Sequence, residues 1–244
     1  MDNLLGEFFG TMVLVLFGDA TVANALLGKS KGQNAGWVHI TLGWGLAVLL
    51  GVLTSIALGA PQADINPAVT LCKMLNGVYS LPHAIATMGV QIVGGIAGGV
   101  LVYFMYLAHW AETPDAGLKL AVFSTGPAVR NTFCNFLTEF LATTILIFGI
   151  FVIFSKNVMG TAGFVSGFGP FIVALLIMAM GMAHGGPTGY ALNPARDLGP
   201  RVAHFFLPIP GKGSSDWGYA WIPVVAPLCD GAAAFAICKA LGLL

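Results

Sequence analysis

The chain reads as an all-α membrane protein of six transmembrane helices plus two re-entrant half-helices, arranged as an inverted-topology repeat. Three features carry that reading. Charged residues are 8% of the 244, against 57% hydrophobic, whereas a soluble domain carries about a quarter charged residues. Long stretches hold no Asp, Glu, Lys or Arg at all: 32–63, 74–111 and 157–195. The tripeptide Asn-Pro-Ala occurs twice, at Asn66-Pro67-Ala68 and Asn193-Pro194-Ala195, in corresponding places of two similar halves.

A spanning helix needs about 20 mostly apolar residues, and each charge-free run accommodates one. Apolar stretches at the amino end, from 132 and from 217 complete the set. The spans fall at 4–27, 36–58, 82–108, 132–155, 167–184 and 217–242. Basic or turn-rich loops such as 29–34 and 208–215 separate them. The amino end lacks a basic leader and Glu7 interrupts the first apolar run, so no cleavable signal peptide is expected. Two apolar pieces, 66–76 and 193–204, are too short to span. Each opens on Asn, a good N-cap, followed by Pro, which suits the first helical turn because its missing N–H is not needed there. Each therefore reads as a half-helix preceded by irregular backbone. Such backbone survives at membrane depth only where it is buried in protein or lines a wet cavity.

The repeat orders these pieces. Residues 7–18 (Glu-Phe-Phe-Gly-Thr-Met-Val-Leu-Val-Leu-Phe-Gly) parallel 139–149 (Glu-Phe-Leu-Ala-Thr-Thr-Ile-Leu-Ile-Phe-Gly), and Gln91-Ile-Val-Gly-Gly lies opposite Pro227-Leu-Cys-Asp-Gly. Each half runs span, span, half-helix, span. Three spans per half is odd, so the second half enters the membrane inverted, and paired interrupted segments mark the functional site. The whole, 1–244, is expected to be a single channel domain, with halves of approximately 1–110 and 131–244 joined by a loop.

Two inverted half-helices place their N-termini together, each with about +0.5 charge from its macrodipole. Their meeting point repels cations, protons included, without an ionised side chain. Asn66 and Asn193 stand there with side-chain N–H donors, and the preceding segments 59–65 and 185–192 present carbonyls as acceptors. A neutral hydroxyl-bearing solute finds replacements for its water shell; an ion does not.

These motifs resemble the aquaporin, or major intrinsic protein, family, and within it the glycerol-facilitator (aquaglyceroporin) branch. The resemblance spans nearly the whole chain. It rests on the two Asn-Pro-Ala motifs, the Glu-x-x-x-Thr openings at Glu7 and Glu139, and residues 189–201, Gly-Tyr-Ala-Leu-Asn-Pro-Ala-Arg-Asp-Leu-Gly-Pro-Arg. Asp197, directly after Arg196, is the mark of glycerol channels against most water channels. The resemblance implies an aquaporin-like fold and a four-residue selectivity filter: Trp44, Gly181, Tyr190 and Arg196. Trp44 and Tyr190 would form an apolar corner for a carbon backbone, Arg196 would donate to hydroxyls, and Gly181 would leave the width that His takes in water-selective relatives. Tyr190 stands where glycerol facilitators typically carry Phe, and its hydroxyl either narrows the filter or adds a polar partner. Trp44 lies two residues further from Asn66 than in those relatives, the extra residues being placed around 58–62. Glu7 and Glu139 are implied to hold the carbonyl-bearing loops by hydrogen bonds.

The implied function is passive diffusion of glycerol and other small neutral solutes, with water. Undissociated small organic acids such as lactic acid, or water alone, are the alternatives. A proton-coupled transporter would use intramembrane carboxylates, but nothing pairs Asp19, Asp64 or Asp230 with a coupling-ion site. No enzyme activity, cofactor or metal is expected: no nucleophile–base pair or phosphate loop occurs, and His39, His83, His109 and His204 share no metal spacing. His184 is expected at the end of the fifth span, outside the filter. The four cysteines read as small apolar side chains. Ten basic against ten acidic residues leave no field to recruit nucleic acid. Asp64, where many relatives carry His, is expected at the inner approach to Asn66, opposing anions, and Asp230 has no evident partner. The family implies a homotetramer in the lipid bilayer, in a plasma or inner membrane, with both termini cytoplasmic. That orientation puts Lys29, Lys31, Lys119, Arg130, Arg201 and Lys212 outside against Lys73, Lys156 and Lys239 inside, the reverse of the positive-inside rule.

Overall fold

The structure, a computed structural model, describes residues 2–160 and 162–244. Its helices are α1 Leu4–Leu26, α2 Gly36–Ala57, α3 Pro67–Leu75, α4 Leu81–Met105, α5 Ala116–Phe123, α6 Thr132–Ile153, α7 Lys156–Met159, α8 Phe168–His184, α9 Pro194–Phe206, α10 Trp217–Ala220 and α11 Ile222–Ala240. No strand occurs among the described residues. α1, α2, α4, α6 and the α10–α11 segment are long and apolar enough to cross a membrane. The remaining expected span, α8, is equally apolar but has 17 residues, about 25 Å at 1.5 Å per residue. The expected last span is interrupted at Trp221, which keeps helical angles, so α10 and α11 continue one another.

The third span ends at Met105, three residues before its expected limit. Beyond it the chain turns back on α1: Trp110 is buried between the rings of Tyr103 and Phe123, and Thr113 accepts from the Gly28 amide at 2.8 Å. α5 is a helix the sequence reading left in a connecting loop. Asp115 caps it, Oδ1 accepting from Gly117 N at 2.6 Å and Leu118 N at 3.3 Å, and it packs against α1 and α9.

Close approach of helices, rather than an apolar stripe, fixes this bundle, as expected where lipid tails are as apolar as leucine. On α4, a Cβ at Gly94 would stand 2.4 Å from Phe8 O of α1, and one at Gly95 would stand 2.5 Å from Ala195 O of α9. On α11, a Cβ at Gly231 would stand 2.7 Å from Ala68 O of α3. The last span of each half thus cradles the other half's half-helix through the same kind of backbone contact. α3 and α9 are thereby held against α11 and α4, their N-termini facing one another.

Candidate solute passage

Asn66 and Asn193 meet as the repeat requires. Each caps its own half-helix: Asn66 Oδ1 accepts from Ala68 N at 2.9 Å, and Asn193 Oδ1 accepts from Ala195 N at 2.9 Å and Arg196 N at 3.2 Å. Each also reaches across. Asn66 Nδ2 donates to Leu192 O at 2.9 Å, and Asn193 Nδ2 donates to Ile65 O at 2.7 Å. An amide carries two N–H donors, so one on each Asn remains for a solute.

The segments before the caps are strained alike. Ala63 and Ile65 in one, Tyr190 and Leu192 in the other, have φ of 42°, 43°, 42° and 56°. A non-glycine residue in this left-handed region costs on the order of 1–3 kcal/mol and persists only when its surroundings over-determine it. Two buried carboxylates do so. Glu7 accepts from the Asp64 and Ile65 amides, both at 2.8 Å. Glu139 accepts from Ala191 and Leu192 at 3.0 and 3.1 Å. Gln91 Nε2 steadies Glu7 at 2.8 Å and also reaches Thr70 Oγ1 at 3.0 Å. Each of the two acidic residues is thus spent on two backbone amides.

A cavity of about 450 Å³ runs beside the meeting point. One side is apolar, from Val48, Val52 and Ile56 of α2, Ile150 of α6 and Val173 and Ile177 of α8. The other side is residues 61–66 and 190–193 with Arg196. A second cavity of about 210 Å³, reached by Trp37, Ser124 and Thr125, shares Trp44, Tyr190 and Arg196 with the first. Those three residues form the partition. The Arg196 guanidinium lies 3.8 Å over the Trp44 ring, a cation–π stack, and each of the three is at most 8% exposed.

Gly181 serves the partition differently from expectation. A Cβ there would stand 2.7 Å from Tyr190 Cζ and 2.8 Å from its Oη, so the space is taken by the tyrosine ring rather than left to the passage. Gly181 lines neither cavity. Tyr190 Oη is buried without a hydrogen-bond partner among the described residues. Trp37, which sequence reasoning missed, braces this corner: Nε1 donates to Gly181 O at 2.9 Å, and its ring meets Tyr190 edge-on at 5.9 Å. An aromatic at the second residue of a span gives no signal beyond membrane-interface preference.

The remaining candidates fall outside the passage or are neutralised. Asp197 lines neither cavity. Its Oδ2 accepts from Thr125 N and Oγ1 at 2.7 and 2.6 Å, and its Oδ1 from Arg201 Nε and Nη2 at 2.9 and 2.8 Å, fixing the loop after α5 to α9. Asp64, expected at the inner approach to Asn66 and opposing anions, does line the larger cavity, but paired with a cation. Lys73, reaching back along α3, pairs with its Oδ1 at 2.5 Å and donates to Gln62 O at 2.9 Å; Thr70 donates to Oδ2 at 2.9 Å. Asp230, read as partnerless, accepts from Thr144 Oγ1 of α6. It stands opposite Gly94 in the repeat, so α11 meets α6 through a side-chain hydrogen bond where α4 meets α1 by backbone contact. His184 ends α8 and lines neither cavity. His83, His109 and His204 bond Asn3 Oδ1, Gly28 O and Ser215 Oγ at 2.5, 3.0 and 2.8 Å, in line with packing roles.

Comparison with known proteins agrees with this geometry. Residues 1–238 match the family described as Major intrinsic protein. Glycerol uptake facilitator protein 3 of Lactiplantibacillus plantarum is 49% identical over 230 residues, covering 94% of this chain and 92% of that protein. The glycerol uptake facilitator protein of Bacillus subtilis is 45% identical over 231 residues, covering 95% of this chain and 81% of its own length. The X-ray structure of the aquaglyceroporin from Plasmodium falciparum superposes with a TM-score of 0.83 at 29% identity, over 100% of this chain and 99% of that one.

Proposed function

The chain belongs to the major intrinsic protein family, and from that premise we propose that it is a passive transmembrane channel for glycerol and other small neutral solutes, with water. It is not an enzyme. The observation that carries the reading is the two-sided passage narrowing at Trp44, Tyr190 and Arg196. A polyol lays its C–H edge on the α2, α6 and α8 side, while its hydroxyls exchange water for loop carbonyls, the free Asn66 and Asn193 N–H groups and the Arg196 donors. Selectivity then follows from diameter, matched hydrogen-bonding groups and the positive barrier. Arg196 and the paired half-helix N-termini, each about +0.5 charge, exclude cations.

In this reading Trp44, Gly181, Tyr190 and Arg196 are the filter, Gly181 acting by seating Tyr190. The two Asn-Pro-Ala motifs are the central constriction, Glu7 and Glu139 its supports, and Asp197 the anchor of the outer loop. The chain is one channel domain of two halves, 1–110 and 131–244, functioning as a homotetramer in a plasma or inner membrane with both termini cytoplasmic. The glycerol uptake facilitators among its relatives favour this reading over a water-only pore or one for undissociated lactic acid.

The test is swelling of proteoliposomes under inwardly directed gradients of glycerol, urea and lactic acid, with water flux in parallel. Glycerol flux that is linear in its gradient supports the reading. Water flux without glycerol flux, or saturable uptake driven by an ion gradient, would refute it.

A further inference from the structure

Lys73 of α3 has no part in the filter or the central constriction, yet it lines the larger cavity together with Gln62 and Asp64. These three stand at the mouth away from the Trp44–Tyr190–Arg196 partition. Along α2 the cavity lining runs from Trp44 to Ile56, about 18 Å of helix at 1.5 Å per residue. Ile56 adjoins the 59–62 loop, its carbonyl accepting from Gly59 N at 3.1 Å. Lys73 is also in line with the central asparagine. Asn66, Val69 and Lys73 fall at i, i+3 and i+7 along the half-helix, a spacing that places them on one face, and all three line the cavity. The Lys73 side chain is fixed from two sides: Nζ donates to Gln62 O at 2.9 Å and pairs with Asp64 Oδ1 at 2.5 Å. Asp64 is held in turn, its Oδ2 by Thr70 at 2.9 Å and its amide by Glu7 at 2.8 Å. An ammonium carries three N–H donors, and the described residues take two. The Asp64 side chain is fully buried while that of Lys73 keeps 14% exposure, so of the two charges only the ammonium is open to the cavity.

We propose that Lys73 is a further solute-binding station of the passage, taking one hydroxyl of a polyol: its third N–H donates to the hydroxyl oxygen, and the second lone pair of Gln62 O accepts the hydroxyl proton. Asp64 is the positioning residue. It holds the ammonium in place and balances its charge, so the station serves a neutral hydroxyl without concentrating anions at the mouth. A solute crossing the cavity then meets donors at three levels: Arg196 at the partition, Asn66 and Asn193 in the middle, and Lys73 at the far mouth. Val69, with Phe154 at the end of α6 and Pro170 at the start of α8, adds apolar lining there, so a hydroxyl shedding its water turns to Lys73 and Gln62. Because two acceptors already fix Lys73, presenting it to a solute costs little further side-chain ordering. This rests on the reading of the passage as a channel for neutral solutes.

The experiment reads glycerol and water permeability of proteoliposomes bearing wild type, Lys73→Arg, or Lys73→Met combined with Asp64→Asn, the last pair leaving no unbalanced buried charge. The double variant is expected to lower the glycerol-to-water ratio about fivefold, the worth of one hydrogen bond. Lys73→Arg, which keeps the donors, is expected to stay within about twofold of wild type. A folded double variant with an unchanged ratio, or one in which glycerol and water fall together, would overturn the inference and leave the channel reading intact; the second result would make the ion pair only a latch on the 61–64 loop. Absence of glycerol flux in wild type would instead overturn the channel reading. Should the double variant fail to fold, the structure of the wild-type channel determined in glycerol decides. A glycerol oxygen within about 3.2 Å of Lys73 Nζ is expected, and a glycerol-filled passage with only water at Lys73 would refute the station.

Discussion

Gly181→Ala tests the filter most directly. The added Cβ would stand 2.7 Å from Tyr190 Cζ and 2.7 Å from Thr41 Cγ2, so restoring an ordinary 3.4 Å contact requires a shift of about 0.7 Å. Thr41 has little room to give, since α2 is packed on α8 and its hydroxyl is bonded to Val38 O at 2.9 Å. The Tyr190 backbone is held by the Glu139 bonds to the next two amides, so the yielding element is its ring, and the side that can receive it is the passage beside Trp44 and Arg196. Overpacking of this kind costs about 1–3 kcal/mol. If each glycerol must push the ring back, the same energy enters its barrier, slowing flux by roughly 5- to 150-fold. Water, being narrower, loses less. Stopped-flow light scattering on proteoliposomes under glycerol and water gradients reads both rates. A further Tyr190→Leu change in the same background should recover glycerol flux. A folded Gly181→Ala protein whose glycerol-to-water ratio stays within about twofold of wild type would refute the placement of the tyrosine ring.

Tyr190→Phe removes a buried hydroxyl that has no hydrogen-bond partner among the described residues, so glycerol flux should hold within about twofold and the thermal midpoint should not fall. Glu7→Gln turns an amide toward two backbone donors and leaves one unmet, with an expected loss of about 1–3 kcal/mol and of glycerol flux, read by thermal unfolding in detergent and by vesicle swelling. Gly231→Ala sets a Cβ 2.7 Å from Ala68 O, a backbone atom that cannot swing aside, and should lower the unfolding midpoint. Gly218→Ala, with nothing within 4 Å, is its neutral control. Asp197→Asn leaves Arg201 buried without its anion at a cost of about 3–5 kcal/mol, to be seen as poor folding yield rather than altered selectivity in the surviving protein.

The spans and half-helices were legible because membrane depth imposes length and polarity rules that a charge-poor sequence displays openly. α1, α2, α6 and α8 fall within two residues of their expected limits, and both half-helices begin at the expected Asn caps. Glu7 and Glu139 were legible through the repeat and the family resemblance together. What escaped depended on contacts distant in sequence or on backbone that residue type does not advertise. Ile65 and Tyr190 are left-handed although neither is glycine, because carboxylates far away along the chain hold the Ile65 amide itself and the Ala191 amide that follows Tyr190. The partner of Asp230 lies 86 residues away, and Asp197 is bonded 72 residues away to Thr125. α5 had a local signal in Asp115 followed by a short apolar run, but its length is well below that of a span.

The reciprocal reach of Asn66 and Asn193 bears on how the molecule is assembled. Each carbonyl at the heart of one segment, Ile65 or Leu192, is satisfied by an amide supplied from the opposite half. Neither half can finish its own lining, so during synthesis the early segment must wait, unclosed, until residue 193 has emerged. The two pieces behave as a clasp whose single click completes the bore. Severing the chain between the halves should therefore leave two inert fragments that regain conduction only when made together.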